Sequence, residues 1–409
     1  MLKRIHIKNF RSCKDVVLDD LGSMTALVGW NGSGKTNILK AIERLAKVAS
    51  STDALISFGR EVVAVPGHLT ADVECEATLY RYSVGVRGVG GAWTPSSIRD
   101  HLTLQEFLAI QNSLGKWETL VERDRGEIQL AGRAKPVKIG PMAPCLPALV
   151  ALLPQDDTIL KPIGSILGFL TRVRYYPVDE PNEVVGGEAA DRIGLIPSDL
   201  YQRWLSEYQL TGHAGQSVVI RILHAFYEQK ARFDELSSLL GPDGLGLLEE
   251  IRVGTAHDPF GLTRKEADSE DQRLYFVAFR PGKQLGGSRQ SLSFGNLSLG
   301  TRRVIHLLTA LILDDSGLKL IEHPEDGIHR GLVRKLISLL RTNADPAQII
   351  LTSHSAVVMN ALEAEDIRLV YTQNGSTKVR ALTSKEIRAA SGYIEEDGTL
   401  AEFLETVEG

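Results

Sequence analysis

Residues 29–36 read Gly-Trp-Asn-Gly-Ser-Gly-Lys-Thr, the spacing G-x-x-x-x-G-K-[ST]. The residue types suit polyphosphate binding. Gly29, Gly32 and Gly34 let backbone N–H groups curl around phosphate oxygens, and a helix starting at the end of the loop adds the positive end of its dipole. Lys35 offers a charge to β- and γ-phosphates, and Thr36 a hydroxyl to Mg2+. Asn31, Ser33 and Asn37 belong to the same expected nucleotide-binding stretch. The plain alternative is a glycine-rich strand-to-helix turn with a surface lysine. Context argues against it: the apolar run MTALV leads in, and Ile38, Ile42, Leu45 and Val48 form one helical stripe leading out.

A phosphate loop alone does not choose among nucleotide-binding classes, but the last third of the chain narrows the choice. Residues 296–303 read NLSLGTRR and open an apolar helix. The run LKLIEHPEDGIH follows, an apolar strand reaching Glu322, and then IILTSHS, reaching His354. With the opening KNFRS (residues 8–12) and NGSGKTNILKAI (31–42), this set resembles ABC-type ATPases of the RecF/SMC/OLD-like group. The motifs cover both ends of the chain, and the middle matches only in general layout.

That resemblance implies a head-to-head dimer with two ATP molecules between the subunits. Lys35 and Thr36 would bind nucleotide and metal in cis, while Ser298 and Gly300 would contact the γ-phosphate held by the partner. Glu322 would hold Mg2+ through a water, with Thr36 as the other metal-side group, and His354 would sense the γ-phosphate. Arg11 would reach the nucleotide. Gln105, Gln111 and Gln155 are alternative positions for the glutamine that couples metal to the mobile lobe.

One departure from the group concerns chemistry. The acid is normally followed by a glutamate that prepares the attacking water, and here His323 stands in that place. Histidine can accept a proton near neutral pH, but beside a triphosphate its protonated form is favoured and cannot. Turnover is therefore expected to be slow, with ATP binding doing more of the work than hydrolysis. Glu325 is the substitute carboxylate if the loop shifts; the bland reading leaves His323 as a polar strand-end residue.

These groups need strands and helices to hold them. LKRIHIKNF alternates as a half-buried strand, 61–89 and 117–130 read as an antiparallel β layer, and 198–252 reads as mainly helical, with FYEQKARFDELSSLL as its clearest amphipathic stretch. LYFVAF, LKLI and AQIILTS read as further strands, and Asn374-Gly375 as a hairpin turn. The expected fold is α/β: a P-loop ABC-type head with a mixed β core, an antiparallel β layer and an inserted helical lobe. The expected division is a first ATPase lobe at 1–178, a helical and signature lobe at 179–315, and the first lobe continued at 316–409. The polar stretch 179–191 is the expected crossing between lobes.

Composition bounds the partners. The 409 residues are 43 % hydrophobic and 24 % charged, and 46 Lys plus Arg against 51 Asp plus Glu give a net charge of −5. That excludes nucleic-acid coating by bulk charge. Local basic groups, Arg123 to Lys138 and Arg280 to Arg303 among them, leave room for DNA as a partner, against the plainer reading of a solvated charge pattern. No apolar run approaches the ~18 residues of a membrane span. Arg4, Lys8 and Arg11 interrupt any leader-like core, and Cys13, Cys75 and Cys145 are spaced for neither disulfides nor zinc. A cytoplasmic setting is the expectation. The residues after His354 are few for an appended nuclease domain, so an effector or nuclease would be separately encoded. The expected process is anti-phage defence or DNA repair; the rival function is an ATP-bound scaffold that restrains a partner. The tail TLAEFLETV carries a capping box, Thr399 with Glu402, and an apolar stripe that either docks a partner or folds back.

Overall fold

A computed structural model describes residues 1–51, 58, 66–88, 102–124, 126–140, 143–178, 190, 192–211, 217–256, 273–282, 290–315, 317–345 and 347–407. The chain divides into two compact units. The first comprises 1–176, 316–323 and 340–409, and the second 177–315 and 324–339. Residues 324–339 thus group with the inserted lobe and not with the last segment of the sequence-based division. The stretch 179–189, expected to cross between lobes, lies outside the described residues.

The first unit holds two sheets. One is antiparallel, with eight strands in the order Cys13–Leu18, Leu2–Phe10, Gly67–Cys75, Thr78–Gly88, Leu102–Gln111, Trp117–Asp124, Glu127–Leu130 and Val137–Lys138. Its first strand buries Ile5 and Ile7 by alternation, Leu2 beyond a register shift and Phe10 at the turn into the next strand. The other has six strands in the order Val173–Tyr176, Leu318–Glu322, Gln348–Ser353, Met24–Val28, Ile367–Gln373 and Ser376–Ala381. The first five run parallel and the last closes the Asn374-Gly375 hairpin antiparallel. Met24–Val28 and Gln348–Ser353 are buried at every position, which is why they read as unbroken runs and not as alternations.

One hydrophobic core joins the two sheets through helix Lys35–Val48, whose Ile38, Ile42, Leu45 and Val48 are all buried. Gln348 ties the amino terminus to it: its amide donates to the carbonyls of Leu2 and Gly22, both at 2.8 Å, and accepts from the Leu2 N–H. At the other end, helix Leu400–Val407 buries Leu400, Phe403 and Leu404 within the same unit. Its first turn is bonded to Asn360, and the Thr399–Glu402 capping box is formed. The apolar stripe of the tail folds back on its own unit.

The second unit has a three-stranded antiparallel sheet, in the order Leu195–Pro197, Leu274–Pro281, Leu248–Ala256. Helices Ser198–Thr211, Val218–Glu228, Lys230–Leu240 and Leu299–Leu313 accompany it, with residues 330–339 of helix Arg330–Thr342. The helical expectation over 198–252 fails at its end, because Leu248–Ala256 pairs with Leu274–Pro281 as a strand. FYEQKARFDELSSLL is two helices, broken at Gln229. Across the break the Phe226 and Phe233 rings meet edge to face at 5.1 Å, with the Lys230 ammonium over both. That aromatic and cation–π contact favours the bend over a straight continuation.

Candidate functional site

Strand order assembles the first half of the site. Val28, Ser353 and Glu322 end three adjacent parallel strands, in register as Val28 opposite Ser353 and Glu322 opposite Thr352. The carboxyl ends of parallel strands are where open α/β sheets bind ligands. The loop 29–36, His354 and the Glu322–His323 pair therefore emerge side by side from segments about 290 and 320 residues apart in sequence.

Glycine is required in the loop by what surrounds it. Gly34 has φ +101°, and a Cβ there would overlap the Thr377 hydroxyl; at Gly29 it would overlap the Val370 carbonyl. Both neighbours come from the hairpin 367–381, so the loop is moulded against a segment remote in sequence. Lys35 folds back across the loop and donates to the carbonyls of Gly29 at 2.6 Å and Trp30 at 3.0 Å. Asn31 is exposed, as is Trp30 at 77 %. Ser33 is buried, and its carbonyl accepts from the Thr377 hydroxyl at 2.9 Å.

A hydroxyl relay fixes the loop from below. Asn37 donates to the Ser12 hydroxyl at 2.8 Å, which pairs with the Thr377 hydroxyl at 2.7 Å. Ser12 and Arg11 form the tight turn between the first two strands, Arg11 in the left-handed region at φ 51° and its guanidinium 3.4 Å from the Asn37 side-chain oxygen. This accounts for the KNFRS opening: its serine braces the loop, and its arginine reaches the start of the loop's helix. Ser12 and Thr377 were not singled out in the sequence, since small hydroxyl residues in a turn and a hairpin carry no distinctive spacing.

On the other flank the Thr36 hydroxyl donates to one oxygen of Glu322 and the Tyr175 hydroxyl to the other, the latter at 2.6 Å. Burial, and then the Glu322 carboxylate beside it, push the Tyr175 phenol well above its usual range, so it remains a donor. Tyr175 also went unrecognised, because a tyrosine in the short edge strand VRYY reads as ordinary strand propensity. A hydroxyl and a carboxylate in contact beside a phosphate loop are a hard-oxygen donor set of the kind Mg2+ takes, with phosphates and waters completing its shell. The two residues fit that ion.

His323 follows Glu322 with φ 41°, in the left-handed region that histidine enters more readily than most side chains. Its N–H donates to the Thr352 carbonyl and hydroxyl. Its Nδ1 lies 3.2 Å from Nδ1 of His354, with the ring planes inclined by 63°. The structure thus brings His323 and His354 together.

The other site residues belong to the second unit. Ser298 caps helix Leu299–Leu313 by accepting from the Thr301 N–H at 3.2 Å. Gly300 is required because a Cβ there would overlap the Gly327 carbonyl. Leu299 between them is 60 % exposed. Glu325 is half-buried in the turn that follows, its carbonyl accepting from the Ile328 N–H.

Several sequence candidates are engaged elsewhere. Gln111 donates to the Gly115 carbonyl in its own hairpin, and Gln105 and Gln155 are exposed. Arg123, considered for a DNA-tracking group, is fully buried and bonded to Glu106 at 2.7 Å. Arg133 pairs with Asp157 and Lys138 with Glu127. Around the signature, Arg280 pairs with Glu250 and Arg303 is buried, donating to the Pro177 carbonyl. Arg125, Lys283 and Arg289 lie outside the described residues. Among the described residues no helix is long and apolar enough to cross a membrane.

Residues 1–83 match the AAA ATPase domain family, and residues 252–360 match the family described as AAA domain, putative AbiEii toxin, Type IV TA system. The first span contains the phosphate loop, and the second contains Ser298, Glu322 and His354. The chain is 58 % identical over 43 residues to an OLD nuclease of Thermus scotoductus, covering 10 % of this chain and 8 % of that protein. It is 33 % identical over 95 residues to the DNA replication and repair protein RecF of Bifidobacterium longum subsp. infantis, covering 22 % of this chain and 23 % of that one. The chain therefore spans less than a quarter of the length of either relative. Among solved structures, an SMC head bound to the C-winged helix domain of ScpA aligns at TM-score 0.47 and 16 % identity, covering 95 % of this chain and 99 % of that one. An SMC head domain from Thermotoga maritima aligns at TM-score 0.39 and 15 % identity, covering 93 % and 99 %.

Proposed function

We propose that this ABC-type ATPase head of the RecF/SMC/OLD-like group works as an ATP-operated association switch. ATP is held in cis by the loop Gly29–Thr36, with Lys35 exchanging its carbonyl partners for phosphate oxygens. The chemistry Mg2+ would supply there is neutralisation of phosphate charge. Thr36 and Glu322 would hold it, and Tyr175 keeps the Glu322 carboxylate oriented. Ser298 and Gly300 engage the nucleotide of a second copy of the chain, so that two heads close around two ATP molecules. The observation that carries this reading is the contact of the Thr36 hydroxyl with the Glu322 carboxylate directly beside a lysine-bearing phosphate loop.

His323 favours slow hydrolysis. Its Nδ1 faces His354, so the ring that replaces the usual glutamate is engaged with its neighbour and poorly placed to take a proton from water. The bound state then lasts long enough to recruit or restrain a separately encoded effector, in a DNA-associated process such as anti-phage defence or repair, in the cytoplasm. The same pairing supports the second reading, a scaffold that binds ATP and scarcely turns it over.

Light scattering of the purified chain with Mg-ATP or a non-hydrolysable analogue tests the switch. The expected result is a nucleotide-dependent doubling of mass, lost in Lys35→Ala and in Ser298→Arg. A mass that ignores nucleotide would overturn it. Steady-state phosphate release separates the two readings: turnover abolished by Glu322→Gln marks an enzyme, and no release above the Lys35→Ala blank marks the scaffold.

A further inference from the structure

The geometry points to a transition-metal site made by His323 and His354, distinct in chemistry from the Mg2+ position at Thr36 and Glu322. The two Nδ1 atoms are 3.2 Å apart. Two imidazole nitrogens on a tetrahedral Zn2+, each at about 2.0–2.1 Å, are separated by about 3.3 Å. The pair therefore already has the N–N separation that such an ion requires.

Both rings are anchored at strand ends on a rigid sheet. His323 is held in a left-handed backbone conformation by its N–H bonds to the Thr352 carbonyl at 3.1 Å and hydroxyl at 3.2 Å. His354 follows the neighbouring strand and is exposed, which leaves coordination positions open to water or to an anionic ligand.

The ligand class follows from the donors. Imidazole nitrogen suits Zn2+, Co2+, Ni2+ and Cu2+, whereas Mg2+ prefers oxygen. In the ion-free pair one Nδ1 carries the proton that the other accepts. On binding, that proton moves to solvent or to the ring's Nε2, and both Nδ1 lone pairs face the metal. No electron transfer is involved. The bound ion would lock together the ends of two adjacent strands beside the phosphate loop.

Titration of the nucleotide-free full chain with Co2+ tests this, because a low-symmetry Co2+ site with nitrogen ligands absorbs visibly. A visible band that saturates at one Co2+ per chain and is displaced by Zn2+ is expected. His354→Gln and His323→Asn, the latter a residue that tolerates positive φ, should each weaken binding by about 10-fold or more, since an imidazole ligand is lost. Thermal unfolding of each variant near that of the parent shows that the fold persists. Lys35→Ala should retain the band, so a failed ATP switch and a failed metal site are told apart. No band in the parent protein, or a band that survives in the double variant, overturns the proposal.

Discussion

The loop that carries Lys35 and Thr36 and the turn that carries Ser298 and Gly300 are built on different plans. The loop is held by residues from far along the chain: Ser12 and Thr377 beneath it, Val370 against Gly29, and Glu322 with Tyr175 beside Thr36. The side chains of Lys35, Thr36 and Asn37 are each hydrogen-bonded in place, as preorganised binding requires. The signature turn is held within its own unit. Ser298 caps its own helix, Gly300 packs on Gly327, and Leu299 points outward at 60 % exposure. The first region is arranged to grip a ligand. The second displays a capped helix end and an exposed leucine, the two features on which the proposed contact with a second copy rests.

Several substitutions break or sharpen that contrast. Lys35→Ala removes the one ammonium of the loop and should cost about 3 kcal/mol of ATP binding, roughly 100-fold in Kd; calorimetry giving less than a threefold change would show that the loop is not the grip. Gly300→Ala forces a Cβ into the Gly327 carbonyl and should destabilise the second unit by ~2–3 kcal/mol. A denaturant midpoint equal to the parent's would mean that the turn can give way.

Tyr175→Phe leaves one Glu322 oxygen without its phenol donor. About 1.5 kcal/mol, near tenfold in kcat with little change in ATP affinity, is expected if Tyr175 positions the carboxylate. An equal loss in affinity would instead mark a packing role.

His306 separates the two regions by pH. Burial, and then Arg221 and Arg303, lower its value in the folded chain to about 3. The unfolded chain takes up a proton near pH 6.5 that the folded chain refuses, so its contribution is intact above that pH and is lost as pH falls toward 3. The slope is about 1.4 kcal/mol per pH unit inside that window. Urea unfolding of the second unit at pH 7.5 and 5.5 should show the loss, and His306→Leu should flatten it; an unchanged slope in the variant would place the proton elsewhere. The smallest effect is expected from Leu299→Ser, within about 0.5 kcal/mol of parent stability because the side chain is exposed. Light scattering should nonetheless show weaker nucleotide-dependent association if Leu299 faces a second copy.

Much of the site was legible in one dimension because its chemistry depends on short fixed spacings. A glycine-rich loop must be contiguous to wrap phosphate, and Lys35 and Thr36 must follow it at once. The long-range partners left no such trace. Ser12, Tyr175 and Thr377 are common residue types, and only strand pairing brings them to the loop. Burial is invisible for the same reason: Arg123 counts as surface charge in a composition and proves to be a buried partner of Glu106. Helix and strand were confused at Leu248–Ala256, where a strand partner, Leu274–Pro281, overrode local helical spacing.

The sequence by itself determined the phosphate loop, the apolar strands and helix that frame it, the acid at Glu322 and the histidine that follows it. Those features are local, set by residue type and by the periods of strand and helix. Tertiary structure alone decided that Glu322 is held from both sides, that His323 faces His354 at 3.2 Å, and that the acidic tail folds back on its own unit. These depend on strand order and burial, which join segments hundreds of residues apart and which no local pattern encodes.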